Sequence, residues 1–374
     1  MKWSGLLLWL ALWLPVSGRA APQTEAHIAR VIAALLERSH FSAPGREAEI
    51  SGPFLDRYLE MLDGARLHFT EEDLREFEPY RTKLAGLTLE AGDVEPAHRI
   101  YARYLERLAQ RVEYAKATLT NEMFDFTGTD AYRLDRRREP RPADLAAARQ
   151  LWRQQLRYEY LEEKLADKSD AEIVGVLSRR YARQLRTMQQ LKPDQVVEMY
   201  LAALAHVYDP HSDYLGPRQL EEFAIGMRNS LFGIGAVLQY DDGYCKIREL
   251  VAGGPAATSH QLNPGDRIVA VAQGDEEWVD IVEMPLADAV RLIRGPKGTT
   301  VRLTIVPADA ELSARRVISL VRDEIKIESQ QAKAWIVDRP GEPRVGIIQL
   351  PSFYQSEGVS ATADVAALLG KLVE

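Results

Sequence analysis

In this 374-residue chain the stretch best suited to chemistry is a short Gly-containing loop, Leu231-Phe-Gly-Ile-Gly-Ala-Val237. A peptide carboxylate that enters a binding site must lose water, and successive backbone N–H groups on such a loop can replace that solvation with no side chain in the way. Other reactive types are poorly placed. The histidines, His27, His40, His68, His98, His206, His211 and His260, are scattered, and none pairs with another at metal-ligand spacing on one helix, so no zinc site is expected. His211, between Asp209 and Asp213, invites a catalytic reading, but no nucleophile accompanies it and a hydrogen-bonded turn accounts for all three. The single cysteine, Cys245, excludes an internal disulfide and reads as a small apolar filler in a strand.

The elements that must position the loop follow from periodicity. From Pro22 to about Leu220 the helical period dominates, with Asp63-Gly64 as a stop, Thr70-Glu-Glu-Asp73 as a capped start and Pro193-Asp194 opening a helix that ends near Tyr208. Tyr101 to Thr118 and Leu145 to Leu165 read as bundle helices with charged outer faces. The basic run from Arg133 to Arg141 contains Asp135 and Glu139, which cancel much of its field, and reads as a solvated loop. After Phe223 the period changes to that of strands. Gly235 to Tyr240 and Tyr244 to Val251 flank a hairpin turn at Asp241-Asp-Gly243; Arg267 to Val271 alternates, and Thr300 to Val306 is a last alternating strand. Between them a helix from about Leu286 to Arg294 carries Leu286, Ala289, Val290 and Ile293 on one face. A peptide could add as a strand beside Gly235 to Leu238, with its last apolar side chain entering a pocket under that face; the same residues also suit the core of a small domain.

Composition bounds the rest. At 46% hydrophobic and 27% charged the chain needs two or three domains, and a net charge of −8 gives no support to nucleic-acid binding. Lys2, the apolar stretch Gly5 to Leu14 and the small residues before Ala20 read as an export signal cleaved after Ala20; the alternative is an uncleaved anchor associated with the inner membrane. No later segment is long and apolar enough to span a bilayer. The mature protein is therefore expected outside the cytoplasm, in the periplasm if the source is a Gram-negative bacterium.

The order of Gly233-Ile-Gly235, Gly254-Pro-Ala256, Leu262 to Asp266 and the helix before Arg294-Gly-Pro-Lys-Gly298 resembles a permuted bacterial PDZ domain of the carboxyl-terminal processing proteases. Tyr208-Asp-Pro-His-Ser-Asp-Tyr-Leu215 is similar to the segment before that domain, the helical region to the N-terminal domain of the tail-specific branch, and Arg344 to Tyr354 to the opening strand and turn of the catalytic domain. The resemblance implies a multidomain α+β protein: signal peptide 1–20, all-α N-terminal domain 21–225, β-rich PDZ domain with one main helix 226–310, and the start of an incomplete α/β serine-protease domain 311–374. It implies peptide binding at Leu231, Phe232, Gly233, Ile234, Gly235, Ala236, Val237, Leu286, Ala289, Val290 and Ile293. The implied partners are the C-terminal tails of protein substrates and an adaptor lipoprotein that presents them, with no cofactor and no metal.

The family cuts with a serine whose base is a lysine, a role that needs burial to lower the amine's pKa. Both residues are expected well beyond the opening strand. Ser352, Ser356, Ser360 and Lys371 lack a Gly-flanked nucleophile setting, and loop and helix-start roles suffice for them. The last segment, Val359 to Val373, reads as an amphipathic helix with the stripe Val365, Leu368, Leu369 and Leu372 and little to pack on. Two readings fit: the N-terminal piece of a processing protease, which the orphan helix favours, or a noncatalytic adaptor using the same groove.

Overall fold

The computed structural model describes residues 25–42, 47–311, 313–327, 330–356 and 358–373; the expected export signal lies outside them. The chain forms two compact units, a helical one that ends at Gly216 and a second that begins at Pro217.

The helical unit contains α1 (Glu25–Ser39), α2 (Glu47–Asp63), α3 (Glu71–Phe77), α4 (Leu84–Leu89), α5 (Glu95–Asn121), α6 (Leu145–Leu165), α7 (Asp170–Gln189) and α8 (Pro193–Tyr208). Local chemistry sets several of its boundaries. Thr70 accepts from the Asp73 N–H while the Asp73 carboxylate takes the Thr70 N–H, a reciprocal cap that starts α3. Ser169 and Glu172 do the same for α7, and Pro193 opens α8, where its missing N–H is no loss. The larger core gathers Phe54, Tyr58, Phe69, Phe77, Ile100 and Tyr200. A smaller one, with Leu156, Ile173 and Leu177, lies under α5, α6 and α7.

The basic run is less solvated than its sequence suggests. Arg137 pairs with Asp135 at the surface, but Arg141 is part-buried and donates to the buried Asp63 at 2.5 Å, and Arg66 holds the Glu139 carbonyl at 2.6 Å. The connector after α8 is a hydrogen-bonded turn: the His211 N–H donates to Asp209 Oδ1 at 2.7 Å, and the His211 ring is exposed.

The second unit opens with α9 (Pro217–Arg228) and continues through β1 (Ser230–Gly233), β2 (Ala236–Asp241), β3 (Tyr244–Leu250), α10 (Pro255–Thr258), β4 (Arg267–Gln273), β5 (Val279–Asp280), α11 (Leu286–Ile293), β6 (Thr300–Val306), β7 (Arg316–Val321) and β8 (Asp323–Lys326). One sheet runs β2-β3-β4-β6-β7, with β5 on β4, while β1 pairs with β8 as a separate antiparallel ribbon. Ile247, Ile268, Leu303, Ile305 and Ile293 of α11 fill the space beneath the sheet. Cys245 is buried among them on β3, and burial pushes its thiol up to about 11.

After β8 come β9 (Lys333–Val337), β10 (Val345–Gln349), β11 (Gln355–Ser356), β12 (Val359–Ser360) and α12 (Ala361–Val373). The expected helix from Val359 starts two residues later, because Val359 and Ser360 pair with Ser356 and Gln355. Nor is it without a partner. Leu372 packs on Gly346 of β10 closely enough that an added Cβ there would meet it at 3.1 Å, and the Tyr354 hydroxyl donates to Asp364 at 2.7 Å.

Candidate peptide-binding site

The expected loop is divided between two strands. Leu231, Phe232 and Gly233 lie on β1, paired with Ile325, Glu324 and Asp323 of β8, whereas Ala236 and Val237 begin β2. Only Ile234 and Gly235 turn between them, so the part free to meet a carboxylate narrows to Gly233 through Ala236.

That turn is anchored through its carbonyls. Ala256 N–H donates to the Ile234 carbonyl at 2.7 Å and Val251 N–H to the Gly235 carbonyl at 2.8 Å. Outside the strand ladders, neither Ile234 nor Gly235 donates a backbone hydrogen bond among the described residues. Tying down acceptors while leaving donors unclaimed makes a turn electropositive, the requirement for holding an anion with backbone alone. Gly235 has φ +73°, and a Cβ there would meet Gly254 Cα and Ile325 Cδ1 at 3.1 Å; a Cβ on Gly254 would meet Gly235 Cα at the same distance. The two glycines seen in sequence are thus a single close approach of backbone to backbone.

Beside the turn, β2 is the terminal strand of its sheet. Its register against β3 shifts between Val237 and Leu238, a bulge that re-aims the side chains at the point where an added strand would lie. α11 packs against β2 and β4. Of its expected groove residues, Ala289 and Ile293 are fully buried core, while Leu286 and Val290 remain half-buried and are the two with surface left to offer. Leu238 of β2, also half-buried, faces the same core.

Sequence reasoning passed over Arg322, which holds this arrangement in place. It is 2% exposed and no carboxylate is among its hydrogen-bond partners. Instead it donates to the Ile293 carbonyl at 2.8 Å, the Leu292 carbonyl at 3.2 Å, Gln273 Oε1 at 2.5 Å and Thr299 Oγ1 at 2.9 Å. It thereby caps the negative end of α11, and burial lowers its pKa. The next residue, Asp323, pairs with Gly233, so the helix cap and the strand that carries the loop are chain neighbours. The only signal in the sequence was an arginine amid a strand-like run, which any surface strand can show.

The candidate nucleophiles do not assemble. Ser360 Oγ accepts the Ala363 N–H at 3.1 Å as a helix cap, Ser352 Oγ is buried without a hydrogen-bond partner, and no hydrogen bond joins a described serine of this region to a lysine.

Comparison with known proteins places the two units. The family model described as tail specific protease N-terminal domain matches residues 32–218, half of the chain. The chain belongs to the tail-specific protease family. A PDZ domain model matches residues 222–306, and so covers the turn, β2 and α11. A tail-specific protease from Haemophilus influenzae is 38% identical over 338 residues, 90% of this chain and 47% of that protein. The carboxy-terminal processing protease CtpA of Bacillus subtilis is 29% identical over 160 residues, 43% of this chain and 31% of the relative. This member of the family therefore spans about half or less of these relatives' length. A crystal structure of the PDZ domain of a carboxy-terminal protease from Vibrio cholerae, in complex with peptide, is 54% identical and covers 26% of this chain and 98% of that one, with a TM-score of 0.25. The fold is the expected one, a helical N-terminal region followed by a PDZ-type β domain.

Proposed function

We propose that this tail-specific protease family member recognises the free C-termini of exported proteins through its PDZ domain and serves their proteolysis outside the cytoplasm. The observation that carries the reading is the turn at Ile234-Gly235, with its carbonyls bound and its N–H groups unclaimed, set at the head of the terminal strand β2. A tail would add antiparallel to β2 and gain main-chain hydrogen bonds. Its carboxylate would lie on the N–H groups of Gly233 to Ala236, and its last side chain between Leu238 and the half-buried Leu286 and Val290. An apolar last residue follows from that lining, since desolvating a charged one there would cost several times what apolar burial returns. The relatives' names support proteolysis as the family activity. Among the described residues no helix is long and apolar enough to cross a membrane.

The test is a titration of the chain with a fluorescent peptide that ends in a free apolar residue and with its C-terminally amidated twin. Saturable binding of the first, with the second weaker by about tenfold or more, is expected from loss of a charge-assisted contact. Equal binding of the two would remove the carboxylate turn from the proposal.

A further inference from the structure

The sheet of the second unit has two ends, and they are finished differently. At one end β2 carries its bulge between Val237 and Leu238, an irregularity of the kind that guards an edge. At the other, β7 pairs with β6 without a register shift, holds no proline, and has no further strand beside it among the described residues. It is a regular, open edge.

The phase of its ladder can be read from one residue. The Arg322 N–H donates to the Thr299 carbonyl at 2.9 Å and the Arg322 carbonyl accepts the Gly298 N–H at 2.8 Å, so both groups point to the β6 side. An antiparallel ladder alternates, so Leu320, Ile318 and Arg316 point the same way, and the N–H and carbonyl groups of Val317, Ser319 and Val321 point out of the sheet. Among the described residues those three make no backbone hydrogen bond outside the strand ladders. Their side chains are exposed too, Val317 by 59% and Val321 by 57%. Outward main-chain groups and two bare valines thus lie along one edge.

We propose that β7 is an interface for a second copy of this chain, paired antiparallel about a two-fold axis through Ser319. The ladder leaves little choice of register. Centring on Ser319 is the alignment in which all three outward residues find a partner: Ser319 faces Ser319, and Val317 faces Val321 of the second copy, with about six main-chain hydrogen bonds. Apolar then meets apolar at both flanking positions. Charge selects the same orientation. Arg315 and Arg316 stand at the start of the strand and Asp323 and Glu324 follow its end, so an antiparallel copy sets basic against acidic at both ends. The Arg322 side chain stays out of the contact, turned into its own core on the carbonyls of α11.

Such a contact is small, so reversible association at micromolar concentrations or above is expected. It leaves β2 open at the far end of each sheet, and it stands or falls independently of tail recognition.

Sedimentation equilibrium of the whole chain at rising concentration tests this, with a monomer–dimer equilibrium as the expected result. Val317→Lys with Val321→Lys sets lysine against lysine at both flanking pairs and should weaken the dimer by about tenfold or more. Val317→Lys with Val321→Glu sets lysine against glutamate and should restore it to within about threefold of the parent. Both positions are exposed in the single chain, and the two variants differ at one residue. Ser319→Pro removes the outward N–H at the centre while sparing the β6 ladder, and should also weaken the dimer by about tenfold. If the double-lysine chain fails to fold, the lysine–glutamate and proline variants decide the matter. The proposal is overturned if the chain keeps the mass of one copy throughout, if lysine at both positions leaves a dimer unchanged, or if the lysine–glutamate chain dissociates as readily as the double-lysine one. A dimer dissolved by an apolar-ended tail peptide would likewise overturn it, by placing the contact on β2.

Discussion

At the scale of single residues the candidate site depends on Gly235 more than on any side chain. Its positive φ costs an L-residue about 1–2 kcal/mol, and the 3.1 Å approaches to Gly254 and Ile325 leave a methyl group no room to relax. Gly235→Ala is therefore expected to destabilise the PDZ unit by about 2–3 kcal/mol and, by moving the turn, to abolish tail binding. Urea unfolding together with the peptide titration checks both; a variant that melts and binds as the parent does would show that the turn tolerates a Cβ. The pairing of Gly235 with Gly254 was half visible in the sequence, where each glycine marked a turn. That they touch was not, because contact between residues 19 positions apart is set by how β2 and β3 return on one another.

Whole elements show where local signals suffice. The α8 bounds, the reciprocal caps of α3 and α7, and the β2–β3 hairpin with Asp242 and Gly243 at positive φ all lie where their own residues place them. Strand partners are different. Leu231 to Gly233 read as part of a loop, yet they pair with β8 almost a hundred residues later, and nothing local to Leu-Phe-Gly announces a partner so far away. The position of α11 likewise rests on Arg322, which arrives from β7. Replacing Arg322 with Met would keep its bulk but strand the Ile293 carbonyl and Gln273 Oε1, each at about 1–3 kcal/mol, while the Leu292 carbonyl keeps the Gln273 amide at 2.8 Å; relief of the buried charge is a partial offset. A net loss of about 2 kcal/mol in PDZ stability is expected, measured by denaturant unfolding. Arg322→Lys, with one point charge in place of a fork, should fall between the two. A methionine variant as stable as the parent would refute the capping role.

For the molecule as a whole, acid sensitivity is concentrated in the helical unit. Burial lowers the His68 pKa from its ordinary 6.5, and the neighbouring Arg111 and Arg141 charges act in the same sense against the opposing Asp63 bond. The unfolded chain therefore takes up a proton near pH 6.5 that the folded unit refuses. This contribution is complete above that pH and is lost as pH falls from 6.5 towards the lower folded value. Asp73 acts further down. Burial alone would raise its pKa, but the Arg107 bond, the Thr70 N–H and Arg103 outweigh it and hold it at about 2, so its stabilisation persists above the unfolded carboxylate range and disappears as pH falls towards 2. Helical ellipticity followed during urea unfolding at pH 7.5 and at about pH 5.5 should give a lower midpoint at the acid value, with His68→Gln flattening the difference. An unchanged slope in that variant would place the proton elsewhere.

The sequence by itself determined the order of the parts: a helical region, then a strand-rich module with a Gly turn ahead of one amphipathic helix, and a family resemblance that the domain models share. It could do so because capping, turn chemistry and hydrophobic period act over a few residues. Only the tertiary structure decided which of those residues are exposed and which polar groups meet. It withdrew Ala289 and Ile293 into the core, set Arg322 under the end of α11, and brought Asp63, His68, Arg111 and Glu159 together from α2, the loop that follows it, α5 and α6. Burial and long-range pairing are properties of the packed chain: the cost of desolvating a charge exists only once other elements have closed over it.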